Sequence, residues 1–311
     1  MKVKDKALLG QVGDMDLRLL RVFKAVADCG GMAAAELELN IGMSTVSRHV
    51  KDLETRLGLT LCRRGRGGFA LTAEGERVYN ETVRLLFSVD AFRGSIDEIH
   101  RRLGGQLEVG LFDKTATNPA SRIGEAISRF TELAPDVKLN IHIGSIAAIE
   151  RGLIAGSFHV GVIPEHRASA AFEYSPLFAE QMLLYCGRGH PLFHATAPLT
   201  WEKLRGHALA GLGFHSPNMQ LAHRAQLVRA ATGYDQEAIA TLLLSGKFIG
   251  FLPDHYAEQF VQRGQLRSVQ PSTFKYGCTF TALVRRSPAP SRATELFFHC
   301  LKQVHSAEAS L

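Results

Sequence analysis

The chain has 311 residues, more than one ordinary domain holds, so two or more compact units are expected. Hydrophobic residues make up 46% and charged residues 21%, which excludes a disordered chain. The net charge of +6 favours a polyanionic partner without specifying one. Residues 1–14 hold no apolar core of the kind a signal peptide needs, and no run of about 18 apolar residues occurs, so a cytoplasmic chain without a membrane span is expected. Five scattered cysteines without a CxxC pair suit reduced thiols better than disulfides or a zinc site.

In chain order, Asp16 to Asp28 reads as a helix, with Leu19, Phe23 and Val26 on one face. Gly30-Gly31 breaks it. Ala33 to Leu39 reads as a short second helix, Asn40-Ile41-Gly42 as a tight turn, and Ser44 to Leu57 as a third helix stopped by Gly58. Two helices joined by a short glycine turn form a helix-turn-helix pattern. With Val46, Val50 and Leu53 turned to the core, Ser44, Thr45, Ser47, Arg48 and Lys51 lie on the open side. Hydroxyls can reach base edges or phosphates, arginine can fork onto guanine, and lysine neutralises phosphate. For an isolated helix an ordinary polar face explains the same residues, so the following segment decides. Leu59 to Thr72 reads as strand, basic glycine-rich hairpin, strand: a wing whose Arg63, Arg64 and Arg66 would run along a phosphate backbone. Between residues 40 and 70 six basic residues face two acidic ones.

The stretch from Met15 to Gly75 resembles the N-terminal domain of LysR-type transcriptional regulators. The matching pieces are Met15-Asp16-Leu17-Arg18, Val46-Ser47-Arg48, Leu53-Glu54, Leu57-Gly58 and Leu71-Thr72-x-x-Gly75, in order and spacing. The chain departs from that pattern at Gly42, where serine is common, at Met43-Ser44, where glutamine and then proline or alanine are common, and at Glu36, where alanine is usual. Glycine is a tolerable cap, so the fold survives. Base preference changes, because Met43 cannot make the paired amide contact to adenine that glutamine makes.

Ala73 to Leu103 reads as one long helix. Val78, Leu85, Phe92 and Ile99 fall seven apart, and Val89, Ile96 and Leu103 form a second series offset by four, which together make an a/d seam. About 31 residues span roughly 46 Å, too long to bury a seam alone, so pairing with a second chain is expected. The resemblance implies the same: a linker helix (73–105) that dimerises the winged heads (1–72), a homotetramer, double-stranded DNA and RNA polymerase as partners, and a small-molecule effector.

Beyond Gly104-Gly105 the pattern alternates. Strands are expected over Gln106 to Phe112, Val137 to Ile143, His159 to Ile163, Phe172 to Leu177, Gln181 to Cys186, Phe248 to Leu252, Leu266 to Val269 and Phe280 to Val284. Helices are expected over Pro119 to Leu133, Ser145 to Ala155, Pro217 to Ala231, Gln236 to Leu244 and Arg292 to Val304. Alternation of this kind implies an α/β domain with parallel strands. The resemblance adds two lobes like those of a periplasmic binding protein, lobe one about 106–163 and 270–311 and lobe two about 164–269, around an effector cleft.

Parallel sheets bind ligands at their carboxyl edges, where helix N-termini point. Three such edges carry suitable residues: Lys114, Thr115, Thr117 and Asn118, with Asn118 capping and Pro119 starting a helix; Gly144-Ser145; and Phe214-His215-Ser216 before Pro217. Free N–H groups there and the Lys114 charge favour a carboxylate-bearing effector, with Phe214 and Phe248 covering its apolar part; the resemblance implies that Phe248, standing where glycine is common, narrows the cleft. Routine helix starts explain the same Asn-Pro and Ser-Pro pairs. No cofactor or metal is expected: the 13 histidines read as scattered surface and core residues. No GxSxG, HExxH or P-loop points to an enzyme. Two further readings stay open, a small-molecule-binding protein with a degenerate head and a thiol redox sensor using Cys186 or Cys278.

Overall fold

The computed structural model describes residues 10–65, 68–99, 103–213 and 217–306. It divides into two compact units, one reaching Arg93 and the other running from Gly94 to the C-terminus apart from residues 155–157, which group with the first.

In the N-terminal unit, α1 (Asp14–Asp28), α2 (Met32–Leu39) and α3 (Met43–Leu57) are followed by a hairpin of β1 (Cys62–Gly65) and β2 (Gly68–Leu71) and by α4 (Ala73–Ile99). The apolar stripes meet as the sequence indicates: Leu19, Phe23 and Val26 of α1 pack with Ala35 of α2 and Val46, Val50 and Leu53 of α3. Asn40 ends α2 in the left-handed conformation at φ 50°, a cost asparagine tolerates better than most side chains. Gly58 ends α3 at φ 65°, where glycine carries no such cost.

The Leu53-Glu54 and Leu71-Thr72-x-x-Gly75 spacings have direct physical roles. Glu54 on α3 reaches forward so that one carboxylate oxygen accepts from the backbone N–H of Leu61 at 2.7 Å and of Cys62 at 3.2 Å, fixing where the hairpin starts. Buried Thr72 donates its hydroxyl to the Thr60 carbonyl at 2.7 Å and accepts from the Gly75 N–H at 2.9 Å, so it ties the wing down and caps α4 together. Gly75 lies so close to the chain before β1 that a Cβ there would sit 2.0 Å from the Leu61 carbonyl oxygen. Asp16 is buried and bridges α1 to Arg56 of α3 at 2.5 Å and 3.0 Å. The Gly13 N–H and the Arg56 guanidinium hold its carboxyl below the usual carboxylate range.

Gly75→Ala puts a methyl group into a backbone carbonyl that cannot move without opening the wing, so the head loses about 3 kcal/mol. Amide exchange in α1 and α3 then speeds up by roughly a hundredfold, while exchange in the α/β unit stays as it was.

The second unit is a nine-stranded mixed sheet of order β4-β3-β5-β11-β6-β9-β7-β8, with β10 paired to β6. Its first part comprises β3 (Gly105–Leu111), α5 (Ile123–Leu133), β4 (Val137–Ile143), α6 (Ile146–Ala155) and β5 (Val160–Pro164). β3 pairs parallel with both β4 and β5, as crossover helices require. Next come the long β6 (Phe172–Gly187), α7 (Trp201–Leu204), β7 (Leu209–Leu212), α8 (Pro217–Arg224), β8 (Arg229–Gly233), α9 (Gln236–Leu244), β9 (Ile249–Pro253), α10 (Asp254–Gln262) and β10 (Leu266–Ser268). The chain closes with β11 (Lys275–Arg285) and α11 (Arg292–Ser306).

The unit has two lobes with separate cores. One gathers Val109, Ile149, Val162, Phe280 and Phe297; the other forms around Leu184, Phe251 and Phe274, extended by Leu212, Ile239 and Leu252. β6 and β11 pair antiparallel and pass through both, with a register shift between Phe280 and Thr281 at the crossing.

Several expectations require correction. Phe172 to Cys186 is one strand, not two, because β6 crosses between the cores without a break. The helix expected from Pro119 starts at Ile123: Thr115–Thr117 winds into a 3-10 turn, and the Asn118 side chain accepts from the Ala120 N–H at 2.9 Å, closing a turn instead of capping a helix. The helix expected to run to Ala231 ends at Arg224, because Arg229–Gly233 is drawn out as the edge strand beside β7. β7, α7 and α10 were not expected at all. The long a/d series also divides. Val78 and Leu85 pack on the head's own core, and Leu103 lies beyond α4 and packs on the first core of the α/β unit. Phe92, at 66%, and Ile96 remain exposed on α4; the Ile99 side chain lies outside the described residues.

Candidate nucleic-acid interface and effector cleft

On the head, Met43, Ser44, Arg48 and Lys51 are exposed on α3, and Thr45 and Ser47 are half-buried at the margins of that face. The opposite face is sunk in the core through Val46, His49, Val50 and Leu53. Helix periodicity alone produces this division: residues 44, 48 and 51 stand at i, i+4 and i+7 and share one side. Gly42 precedes the helix as its cap without a side-chain bond. Arg63 is exposed on β1, opposite Ala70 of β2. The Arg64 side chain and all of Arg66 lie outside the described residues. The head thus presents an open helix face of hydroxyls and cations beside a basic hairpin, the combination that can enter a groove and follow phosphates.

In the α/β unit, the chain after the carboxyl end of β3 carries Asp113, Lys114, Thr115, Thr117 and Asn118, and brings Asp113, Lys114 and Thr117 against the N-terminal turn of α9 and the start of α10. Asp113 accepts from the Gln236 backbone N–H at 2.7 Å. Lys114 pairs with Glu237 at 2.6 Å, and Glu237 also accepts from the Tyr256 hydroxyl at 2.8 Å. Thr117 shares a hydrogen bond with His255 at 2.8 Å, and His255 meets Glu180 at 3.0 Å. The Asn118 amide donates to the Ala179 carbonyl at 3.2 Å. These polar contacts join the two lobes.

Gly144 and Ser145 belong to the same edge: the Gly144 N–H reaches the Leu111 carbonyl at 3.0 Å, and the Ser145 hydroxyl accepts from the Ala148 N–H at 3.3 Å at the start of α6. Phe248 does not join them. It precedes β9 at the amino edge of the second lobe's parallel strands, where Ile249 pairs beside Leu209, and it packs on that lobe's core. Phe214, His215 and Ser216 lie outside the described residues.

Sequence reading passed over Asp113, Glu180, Gln236, Glu237 and His255. Asp113 directly precedes Lys114, and its signal is an acid following an apolar strand. The others are brought near only by the fold. A cavity of about 980 Å³ opens between Asn118, Glu180, Asp254, His255, Glu258 and Lys275. The sequence reading also passed over the four-residue spacing of His190 and His194. His190 accepts from the Leu192 N–H at 3.1 Å, and among the described residues no group of three His, Cys, Asp or Glu could hold a metal.

The cysteines bear on the redox reading. Burial pushes the Cys186 thiol up to about 11. Burial and the neighbouring Glu180 carboxylate push Cys278 up as well. A sensor thiol needs the opposite shift, toward the thiolate.

A winged head and a two-lobed α/β domain together define a DNA-binding regulator with a built-in sensor domain. Residues 17–76 match the family model of the bacterial regulatory helix-turn-helix protein, lysR family, and residues 100–306 match the LysR substrate binding domain. The chain belongs to the LysR family of transcriptional regulators. It is 39% identical over 94% of its length, and over 96% of the relative, to the HTH-type transcriptional activator BauR of Pseudomonas aeruginosa. In fold it is similar to a probable transcriptional regulator of Pseudomonas aeruginosa, with a TM-score of 0.64 at 20% identity over 93% of this chain and 96% of that one. It is also similar to full-length CbnR solved with its target DNA, with a TM-score of 0.61 at 20% identity over 92% and 99% of the two chains. Among the described residues no helix is long and apolar enough to cross a membrane.

Proposed function

We propose that this regulator works in the cytoplasm as a homotetramer, a dimer of dimers, that reads an inverted repeat in double-stranded DNA and acts on RNA polymerase without enzymatic activity or a cofactor. The observation that carries the reading is the α3 face, where Ser44, Arg48 and Lys51 stand open beside the basic wing. Met43, Ser44, Thr45, Ser47 and Arg48 face the base edges, and Lys51, Arg63, Arg64 and Arg66 serve the phosphates. A symmetric pair of heads matches a symmetric pair of half-sites. Selection of genomic fragments by the purified protein tests this: enriched fragments carry two inverted half-sites one or more helical turns apart. Enrichment of single half-sites, or of none, contradicts it.

The pairing element is α4. Phe92 and Ile96 stand four apart, and both are exposed although both are large and apolar, which fits a seam buried by a second copy. Phe92→Glu with Ile96→Glu puts two carboxylates into that seam. Sedimentation then shows a smaller species than the native protein at equal concentration, and operator affinity falls because each head binds alone. The head's core residues are untouched, so its helices keep their thermal stability.

Effector control rests on the carboxyl edge where Lys114, Thr115, Thr117, Asn118, Gly144 and Ser145 gather. A ligand there acts by preferring one arrangement of the lobes over another. Lys114 is already paired with Glu237, and the Asn118 amide is already bonded to the Ala179 carbonyl of β6. A simple carboxylate therefore finds less unspent positive charge than the bare sequence promised.

A further inference from the structure

We propose that the junction between the two lobes takes a small molecule by a protonated amino group, bound by Asp113 and Gln236; this rests on the reading of the α/β unit as the effector receptor. Asp113 and Gln236 are both more than nine-tenths buried, at 8% and 3% exposure. The Asp113 Oδ1 and Gln236 Oε1 atoms are buried without any hydrogen-bond partner. Both are acceptors, and a buried acceptor left without a donor is strongly unfavourable. The two residues are themselves joined, because the other Asp113 oxygen takes the Gln236 N–H at 2.7 Å. An ammonium group carries three donors on one atom and can serve two acceptors on bonded neighbours.

The surroundings exclude an anion and favour a cation. The N-terminus of α9 already holds two carboxylates, Asp113 on Gln236 N and Asp235 on Ala238 N at 2.7 Å. Lys114, the cation nearest in sequence, is spent on Glu237. Burial, with the charges of Asp235 and Glu180 adding to it, raises Asp113 to about 6, and the Gln236 N–H and Lys114 offset this only in part. At neutral pH an ionised, poorly compensated carboxylate therefore stands buried at the junction. The neighbouring cavity, which Glu180 lines, repeats the bias with Asp254 and Glu258 against Lys275. The contacts that join the lobes here, Asp113–Gln236, Lys114–Glu237 and Thr117–His255, are polar, so admitting a guest exchanges hydrogen bonds and opens no apolar core.

The test is thermal melting of the full-length protein with 1-aminobutane, 1,4-diaminobutane and 4-aminobutanoate, set against butanoate and succinate. An amine-bearing probe raises the melting temperature with concentration, and butanoate and succinate leave it unchanged. Asp113→Asn and Gln236→Met, both near in shape to the native side chains, each weaken binding of the responding amine at least about tenfold. The inference is overturned if no amine probe shifts the melt, if butanoate or succinate shifts it as strongly, or if either variant keeps native affinity. Operator binding measured on the same samples reports separately on the regulator reading: its persistence beside a silent melt condemns the amine site alone, and its loss in the native protein condemns the regulator reading.

Discussion

Replacing Arg48 and Lys51 together by alanine lowers operator affinity by about a hundredfold and flattens the salt dependence by about two charges, while the melting temperature barely moves. Both side chains are exposed on α3, away from the buried Val46, Val50 and Leu53 stripe, so truncating them removes no core contact and costs the fold less than about 0.5 kcal/mol. The two losses differ in kind. Arg48 stands four residues from Ser44, within the part of a recognition helix that meets base edges, and its guanidinium can bond a guanine twice, so its removal relaxes sequence preference. Lys51, one turn further on, meets phosphate as a point charge, so its removal weakens every duplex alike. Fluorescence anisotropy of each single variant on the operator and on an unrelated duplex separates the two. Equal losses on both duplexes for Arg48→Ala contradict its role as a base reader.

The second large effect is on stability and is read through pH. Burial pushes Asp113 up to about 6 from an ordinary 3.8, although the Gln236 N–H pulls the other way. In the folded protein the carboxyl therefore holds its proton over a pH range where the unfolded chain has released it. Stability then falls as pH rises from about 4 to about 6, by on the order of 3 kcal/mol at about 1.4 kcal/mol per pKa unit. Asp113→Asn keeps the acceptor for Gln236 N and removes the titration. The variant and the native protein thus melt alike near pH 4, and the variant becomes the more stable by on the order of 3 kcal/mol near pH 7. Urea titrations across that range check it. A difference that does not change with pH, or that grows on acidification, contradicts the account of Asp113 as an uncompensated buried charge.

The head was legible in the sequence because its signals are local. Leu19, Phe23 and Val26 in α1 and Val46, Val50 and Leu53 in α3 follow helical spacing, and Gly58 marks a stop that only the backbone of α3 decides. The structure begins α1 and α3 at Asp14 and Met43, within two residues of the reading. The Glu54 and Thr72 spacings were visible too, but their shared target, the backbone of residues 60–62, became visible only in three dimensions.

The α/β unit was less legible where structure depends on distant partners. Val137–Ile143 and Gln236–Leu244 carry their own periodicity and match the reading residue for residue. Arg229–Gly233 has no strand pattern of its own and is a strand because β7 pairs with it. Leu209–Leu212 is four apolar residues, too short to distinguish from a buried loop. At the junction, Lys114, Thr117 and Asn118 attracted notice as residues near a strand end. Asp113 matters more, because Gln236, 123 positions later, returns to it. No local pattern announces an acceptor that the fold buries without a donor.

The central claim is that paired cationic heads hold duplex DNA, and the slope of binding affinity against salt tests it most directly. With the intact protein and a duplex recovered from its own genome, log K against log salt falls with a slope steeper than about −4, as expected when at least about three cations of each head displace counterions. A slope near zero, or no binding to such duplexes at low salt, contradicts the account.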